Sequence, residues 1–358
     1  MNEHELAILR QFCLDAEPAS CTPYGCGHIN RTYLVATAGG RCYILQKINH
    51  HTFRDVAGLM ENIELVTEHL RRKSPDPRSV LTLIRTKDGK SYLEADDGYW
   101  RVFRFVEDSI CLQQPESDAD FYESAVGFGT FQQLLSDFPA EKLHETIPNF
   151  HNTPDRYRAF HETLTRDPMH RAAQVQPEIE FALARQAEMA ALQNALDAGE
   201  LPLRVTHNDT KLNNVLFDAK TRRALCIIDL DTVMPGSALY DYGDSIRFGA
   251  ATAPEDEPDL SKMGINLELF RVYTEGYLTA CRSLTEKETE LLPLGAKIIT
   301  LELAVRFLTD YLDGDRYFKT AYPEHNLVRT RAQLKLVADM EAHWDEMQKI
   351  VAEEAAKH

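Results

Sequence analysis

Hydrophobic positions in the first third of the chain recur with two different periods. Residues 2–13 (NEHELAILRQFC) space their apolar side chains as a short amphipathic helix. Residues 32–36 (TYLVA) and 41–48 (RCYILQKI) read instead as strands, joined by a Thr-Ala-Gly-Gly turn. Over 54–72, Val56, Leu59, Met60, Ile63, Val66 and Leu70 return at helical spacing. Further strands are expected at 80–85, 92–93 and 100–106 (WRVFRFV), separated by Asp-Gly turns. Beyond Ser109 the pattern becomes helical, at 118–137, 154–166, 177–198, 267–283, 285–311 and 327–356. Only two short strands, near 215–217 and 225–229, interrupt it. The order predicts an α+β chain: a small β-rich lobe over 1–107 with one prominent helix, then a larger mainly helical lobe over 108–358.

Composition agrees with two domains. The chain has 358 residues, 44% hydrophobic and 27% charged, enough for sizeable cores. Its formal net charge of −17 argues against nucleic acid or an anionic membrane as partner, since both are polyanions. The first residues lack the basic start and apolar run of a signal peptide. No stretch approaches the ~20 apolar residues of a membrane span. Seven scattered cysteines without a Cys-x-x-Cys pair speak against a disulfide scaffold or a cysteine zinc site. A soluble, cytoplasmic protein is expected, with a monomer as the default because no apolar helix face is left over.

The chemistry concentrates at 205–231 (VTHNDTKLNNVLFDAKTRRALCIIDLD). His207, Asp209 and Asn214 form His-x-Asp followed by four residues and Asn, and Asp229 then closes an apolar strand with Asp231 two residues on. Phosphoryl transfer needs a carboxylate beside the acceptor hydroxyl and hard oxygen ligands for Mg²⁺. Asp209 fits the first role, Asn214, Asp229 and Asp231 are candidates for the second, and Lys211 stands within reach of a transferring phosphoryl group. Each of these alone would read as a turn or cap; their combined spacing carries the signal. Upstream, Gly25 and Gly27 in 24–30 (YGCGHIN) would let backbone N–H groups approach a phosphate, with His28 and Asn30 in the same stretch. Phe105, Val106 and Glu107 would present backbone groups to adenine, and Leu216 would pack beneath it. Glu64 is a candidate partner for a lysine on the preceding strand.

On these residues the sequence resembles the aminoglycoside phosphotransferase/choline kinase family, which has a two-lobed protein-kinase-like fold. The resemblance runs nearly end to end, through PYGCGHIN at 23–30, YILQKIN at 43–49, FHNTPDRY at 150–157 and RVTHNDTKLNNVLFD at 204–218. It continues in IIDLDTVMPGSALYDYGDSIRFGA at 227–250, RFLTDYLDGDRYF at 306–318 and YPEHNLVRTRAQLKLV at 322–337. It implies an ATP- and Mg²⁺-dependent kinase whose acceptor is the anomeric hydroxyl of an N-acetylhexosamine. By the same resemblance Asp209 is the catalytic base, Asn214 and Asp229 hold the metal, and Asp241 anchors the loop. Arg306 and Tyr317 fall at the sugar, with Asp310 and Arg247 nearby. The bland alternative for Arg306 is a salt bridge to Asp310, four residues on. Other acceptors in the same family (choline, homoserine, an aminoglycoside) and a non-catalytic pseudokinase are the rival readings.

One departure stands out. The third strand of many kinases places a lysine after its apolar residues, whereas here Gln46 follows Tyr-Ile-Leu and Lys47 comes next. Strand side chains alternate, so Lys47 should face the other way. Either Gln46 stands in for the lysine, or a bulge turns Lys47 inward.

Overall fold

The computed structural model describes residues 3–25 and 29–358. The elements run α1 (Glu3–Leu9), β1 (Pro18–Pro23), β2 (Arg31–Thr37), β3 (Cys42–Ile48), α2 (Val56–Lys73), β4 (Leu83–Ile84), β5 (Leu93–Ala95), β6 (Gly98–Arg104) and β7 (Ser109–Cys111). Then come α3 (Asp118–Leu134), α4 (Thr153–Arg166), α5 (Gln176–Ala184), α6 (Gln186–Met189), α7 (Ala191–Asp197), β8 (Arg204–Thr206), β9 (Val215–Asp218), β10 (Ala224–Ile227) and β11 (Met234–Gly236). The chain ends with α8 (Ala238–Gly249), α9 (Leu267–Ala280), α10 (Glu286–Glu290), α11 (Leu292–Asp313), α12 (His325–Ala342) and α13 (Trp344–Ala355). It is the α+β architecture of the kinase-like fold, with an antiparallel sheet early in the chain and helices after it. Among the described residues no helix is long and apolar enough to cross a membrane.

By tertiary contact the chain forms two compact units. The first comprises Met1–Cys111, Glu141–Pro148 and Leu216–Met234; the second comprises Leu112–Ala140, Asn149–Val215 and Pro235–His358. In the first unit an antiparallel sheet is ordered β1-β2-β3-β6-β4, with β5 also pairing β6. One face of this sheet, including Val35, Tyr43, Leu45, Trp100 and Val102, buries a core with Ile8 and Leu9 of α1. The register runs unbroken from Tyr43↔Arg104 to Ile48↔Tyr99, so β3 has no bulge. Lys47 therefore shares the α1 face, where it lies over the Trp100 ring and pairs with Asp97 at 2.5 Å. Gln46 takes the opposite face, beside Arg101. Glu64 pairs with Arg85 at 2.9 Å and not with a β3 lysine.

In the second unit α11 is the central helix, packed by α4, α8 and α12, while α3 packs on α9. The expected helix over 177–198 is broken into α5, α6 and α7, and 285–311 is broken at Leu291, two residues before Pro293 in the first turn of α11. Similarly, 327–356 divides at His343. β1, α8 and the three-residue strands β7, β8 and β11 escaped the pattern reading. β1 carries proline at both ends and buries only Cys21, so it lacks the alternation that betrays a strand. α8 is buried from Ala238 through Arg247, so it has no polar face to make a stripe visible.

Candidate active site

Two groups of chemistry-bearing residues stand out in the second unit, and one in the first. The loop after β8 is held from behind by α8. Asp241, buried near the start of that helix, accepts the backbone N–H of His207 and of Asn208, each at 2.7 Å, and the Gln132 amide at 3.1 Å. Burial pushes the Asp241 carboxyl up, against these hydrogen bonds. One turn later Asp244 accepts the Thr210 N–H at 3.1 Å and pairs with Arg247 at 2.9 Å. Burial opposes ionisation of Asp244, but Arg247 and Lys211 hold its carboxyl below the ordinary range. Asn208 sits at φ 64°, a left-handed conformation that a side-chain-bearing residue keeps only where its surroundings impose it. The His207 ring packs edge-on against Phe128 and Phe131, and its Nδ1 accepts the Asp209 N–H at 3.3 Å. His207 orders the loop.

The result is a half-buried Asp209 between two cooperating groups. Lys211 Nζ lies 2.8 Å from its Oδ1, and the Asn214 amide donates to its Oδ2 at 3.1 Å and to its backbone carbonyl at 2.8 Å. The Asp209 carboxylate raises the Lys211 ammonium, keeping it charged. Because the Asn214 nitrogen is spent on Asp209, the amide oxygen is the atom left to serve a cation.

The second group lies on α11 and the segments around it. The Arg306 guanidinium stands 5.3, 5.8 and 5.5 Å from the ring centres of Phe150, Tyr317 and Phe318, within cation–π range. It donates to the Tyr317 hydroxyl at 3.4 Å. Its ionic partner is Glu302 at 3.6 Å, one turn before it, and not Asp310. Glu302 also takes His151 Nδ1 at 2.9 Å. Burial opposes the Glu302 charge, yet His151, Arg306 and Arg156 hold its carboxyl low. Three buried polar atoms here have no protein partner: His151 Nε2, Tyr240 Oη and Glu302 Oε2. Tyr317 is 66% exposed.

Asp310 and Arg247, expected near the sugar, have other occupations. Asp310 accepts the N–H groups of Arg316, Tyr317 and Phe318 at 2.8, 2.8 and 2.9 Å, and the Asn326 amide at 2.8 Å. It shapes the loop that presents Tyr317. Arg247 is buried and divided between Asp244 and Glu255, at 2.9 and 2.5 Å.

In the first unit, Asp229 follows β10 as an exposed carboxylate at φ 59°, again left-handed. Asp231 points inward, with Oδ1 2.6 Å from Arg101 Nη2 and Oδ2 accepting the Asn30 amide at 2.6 Å. Oδ2 is thus hydrogen-bonded by protein, while Oδ1 has the Arg101 ion-pair contact but no hydrogen-bond partner. Gln46 links the same network, accepting from Arg101 Nε at 2.9 Å and donating to Thr32 at 3.1 Å. At another edge of this unit, Tyr24 and Phe105 meet edge to face at 6.1 Å, and Leu216 pairs with Cys111 between β9 and β7. Burial first, and Cys111 second, raise the Tyr24 phenol. Gly25 adopts φ 78° in the turn beside it, and Glu107 is exposed just past β6. The expectations for Gly27 and His28 lie outside the described residues. Arg101, Glu302 and His151 were not found by sequence reasoning. For Arg101 and Glu302 the available signal was a charged residue in the middle of an otherwise apolar strand or helix; His151, in the turn before α4, offered none.

With this geometry in hand, the family is decided by a match of residues 20–271 to the model described as the phosphotransferase enzyme family. The chain belongs to that family. It is a small-molecule phosphotransferase, and its fold recurs in solved members. A microcompartment-associated aminopropanol kinase aligns with a TM-score of 0.62 at 16% identity, covering 96% of this chain and 98% of that one. An aminoglycoside phosphotransferase from Alicyclobacillus acidocaldarius gives 0.63 at 13%, covering 97% and 96%. A spectinomycin phosphotransferase, solved with ADP and its antibiotic, gives 0.60 at 10%, covering 95% and 98%. At such identities the likeness carries the fold alone.

Proposed function

We propose that this phosphotransferase is an ATP- and Mg²⁺-dependent kinase that phosphorylates the anomeric oxygen of an N-acetylhexosamine. The carrying observation is Asp209, held between Lys211 and Asn214 by a loop that α8 keeps rigid. A carboxylate presented this way accepts the proton of an acceptor hydroxyl as its oxygen bonds to the γ-phosphorus of ATP and ADP departs. The anomeric hydroxyl is more acidic than an ordinary alcohol, so an ordinary carboxylate suffices. Lys211 supplies positive charge beside the reacting group. The donor set suits Mg²⁺, because the Asn214 amide oxygen and the Asp229 carboxylate are hard oxygen ligands. When bound, the metal would neutralise charge on the phosphate oxygens. Asp231, buried and ion-paired with Arg101, would support that set without joining it.

The sugar reading rests on the stretches of resemblance and on the chemistry around Arg306. A guanidinium, three aromatic rings and buried polar atoms without partners suit a neutral ring with several hydroxyls and one apolar face. Choline would call for an aromatic cage free of a competing cation, and Arg306 occupies that position. Tyr24, Gly25, Phe105, Glu107 and Leu216 are proposed to border the nucleotide, with Asn30 and Gln46 as supports through Asp231 and Arg101. ADP release measured with N-acetylglucosamine, N-acetylgalactosamine, choline, homoserine and an aminoglycoside tests the reading. Acceptor-dependent release is expected with the hexosamines alone. Release only with another alcohol overturns the sugar assignment, and only basal release with every acceptor indicates a pseudokinase. Asp209→Asn should lower turnover roughly 10²–10⁴-fold with ATP binding retained.

A further inference from the structure

We propose that Arg101 and Asp231 are a positioning pair for Asp229, an orienting ion pair built from β6 and the turn after β10. This rests on the reading of Asp229 as a metal-binding carboxylate. The pair is 2.6 Å apart with its members 1% and 3% exposed, so neither touches a ligand directly. On the sheet, Gln46 fixes the guanidinium from β3, while α2 offers it only the Met60 sulfur at 3.9 Å. Lys47 and Glu64, the residues that sequence position suggests for an orienting pair, are bound elsewhere, to Asp97 and Arg85. Arg101 stands beside Gln46 on the face of the sheet opposite α1.

The turn carrying Asp229 is fastened through this pair and around it. Asn30 donates to Asp231 at 2.6 Å and accepts the Asn49 N–H at 3.0 Å, tying the residue just before β2 to the same carboxylate. Thr146 donates to the Asp231 carbonyl at 3.5 Å, and Asn62 of α2 donates to the Val233 carbonyl at 3.0 Å and the His144 carbonyl at 2.8 Å. Asp229 itself is held left-handed at φ 59°. A buried ion pair is often no better for stability than apolar residues of the same volume, so stability alone does not account for these charges. What they add is direction. An ion-pair contact on one carboxylate oxygen and the Asn30 hydrogen bond on the other set the turn's orientation two residues from Asp229, where an apolar contact would let it rotate.

The test compares the parent with R101K, D231N, the charge-free double variant R101M/D231L, and D229N. ADP binding is measured calorimetrically with and without Mn²⁺, alongside the Mg²⁺ dependence of turnover and the KM for acceptor. The double variant is expected to bind ADP alone as the parent does, and to lose tenfold or more of its affinity for ADP with Mn²⁺. Half-saturating Mg²⁺ should rise by a similar factor with acceptor KM unchanged, and R101K should recover part of the loss. Should the double variant not fold, R101K and D231N report the same quantities. Metal-dependent ADP binding within twofold of the parent in these variants, while D229N loses it, would overturn the pair's role. If D229N also keeps that binding, the assignment of Asp229 falls, and the proposal with it.

Discussion

At the scale of single residues, the structure shows which buried charged groups are occupied by the protein's own hydrogen bonds and which keep an atom without a partner. Asp241, expected from the resemblance to anchor the loop, does so: its oxygens serve the N–H groups of His207 and Asn208. Asp241→Ala should cost ~1–3 kcal/mol for each donor it strands, read as a fall in Tm with a matching loss of active protein. Glu302 is the reverse case, a buried helix carboxylate with one oxygen on His151 and the other without a protein partner. If that oxygen takes a substrate hydroxyl, Glu302→Gln should raise the acceptor KM about tenfold, the worth of one hydrogen bond to a charged group, and leave the KM for ATP unmoved. An equal rise in both constants would show that Glu302 only supports the fold. Truncating Arg101 alone should be severe, at about 3–5 kcal/mol, because it leaves Asp231 buried without its cation. Chemical denaturation of Arg101→Ala measures this directly.

At the scale of elements, α8 carries the loop and α11 carries both α8 and Arg306. Their crossing is close enough to require glycine on each helix. A Cβ on Gly243 would stand 2.5 Å from the Gly295 carbonyl oxygen, and one on Gly295 would stand 2.6 Å from that of Leu239. Backbone cannot yield as a side chain can, so Gly243→Ala should destabilise by ~1–3 kcal/mol and slacken Asp241 along with it. Lower Tm with unchanged turnover per folded molecule would mean that the loop is held independently of this crossing. The strongly periodic α2 was legible in the sequence to within about two residues, since its apolar stripe faces a core and its other face meets water. The α8 helix was illegible for the opposite reason: buried on every side, it has no contrast to read.

At the scale of the molecule, acid should reveal the ion pairs that tie sequence-distant segments together. Burial opposes ionisation of Asp97, but Lys47, Trp100 and His4 together hold its carboxyl down at about 2. A group lowered on folding stabilises the native state above its unfolded pKa, ~3.9 for Asp, and loses that contribution as pH falls through the folded value. Thermal stability should therefore drop between about pH 4 and 2, and Asp97→Asn should flatten that part of the Tm–pH curve. An unchanged slope would show that Asp97 is not linked to folding.

The sequence by itself determined the fold class, and it set close together along the chain the residues proposed for the chemistry: an aspartate, lysine and asparagine at loop spacing and a strand-end carboxylate. It also determined the lobe order, because periodicity is a local property of a chain. Tertiary structure alone decided which charge meets which. Strand alternation showed that Gln46 and Lys47 face opposite ways, but only pairing with β6 brought Arg101 beside Gln46 and Asp97 to Lys47. Likewise, the linear pattern draws one boundary near Glu107, whereas the first compact unit also recruits Glu141–Pro148 and Leu216–Met234. The physical reason is the same in both cases. Ion pairs and unit membership depend on contacts between residues far apart in the chain, about which no local pattern carries information.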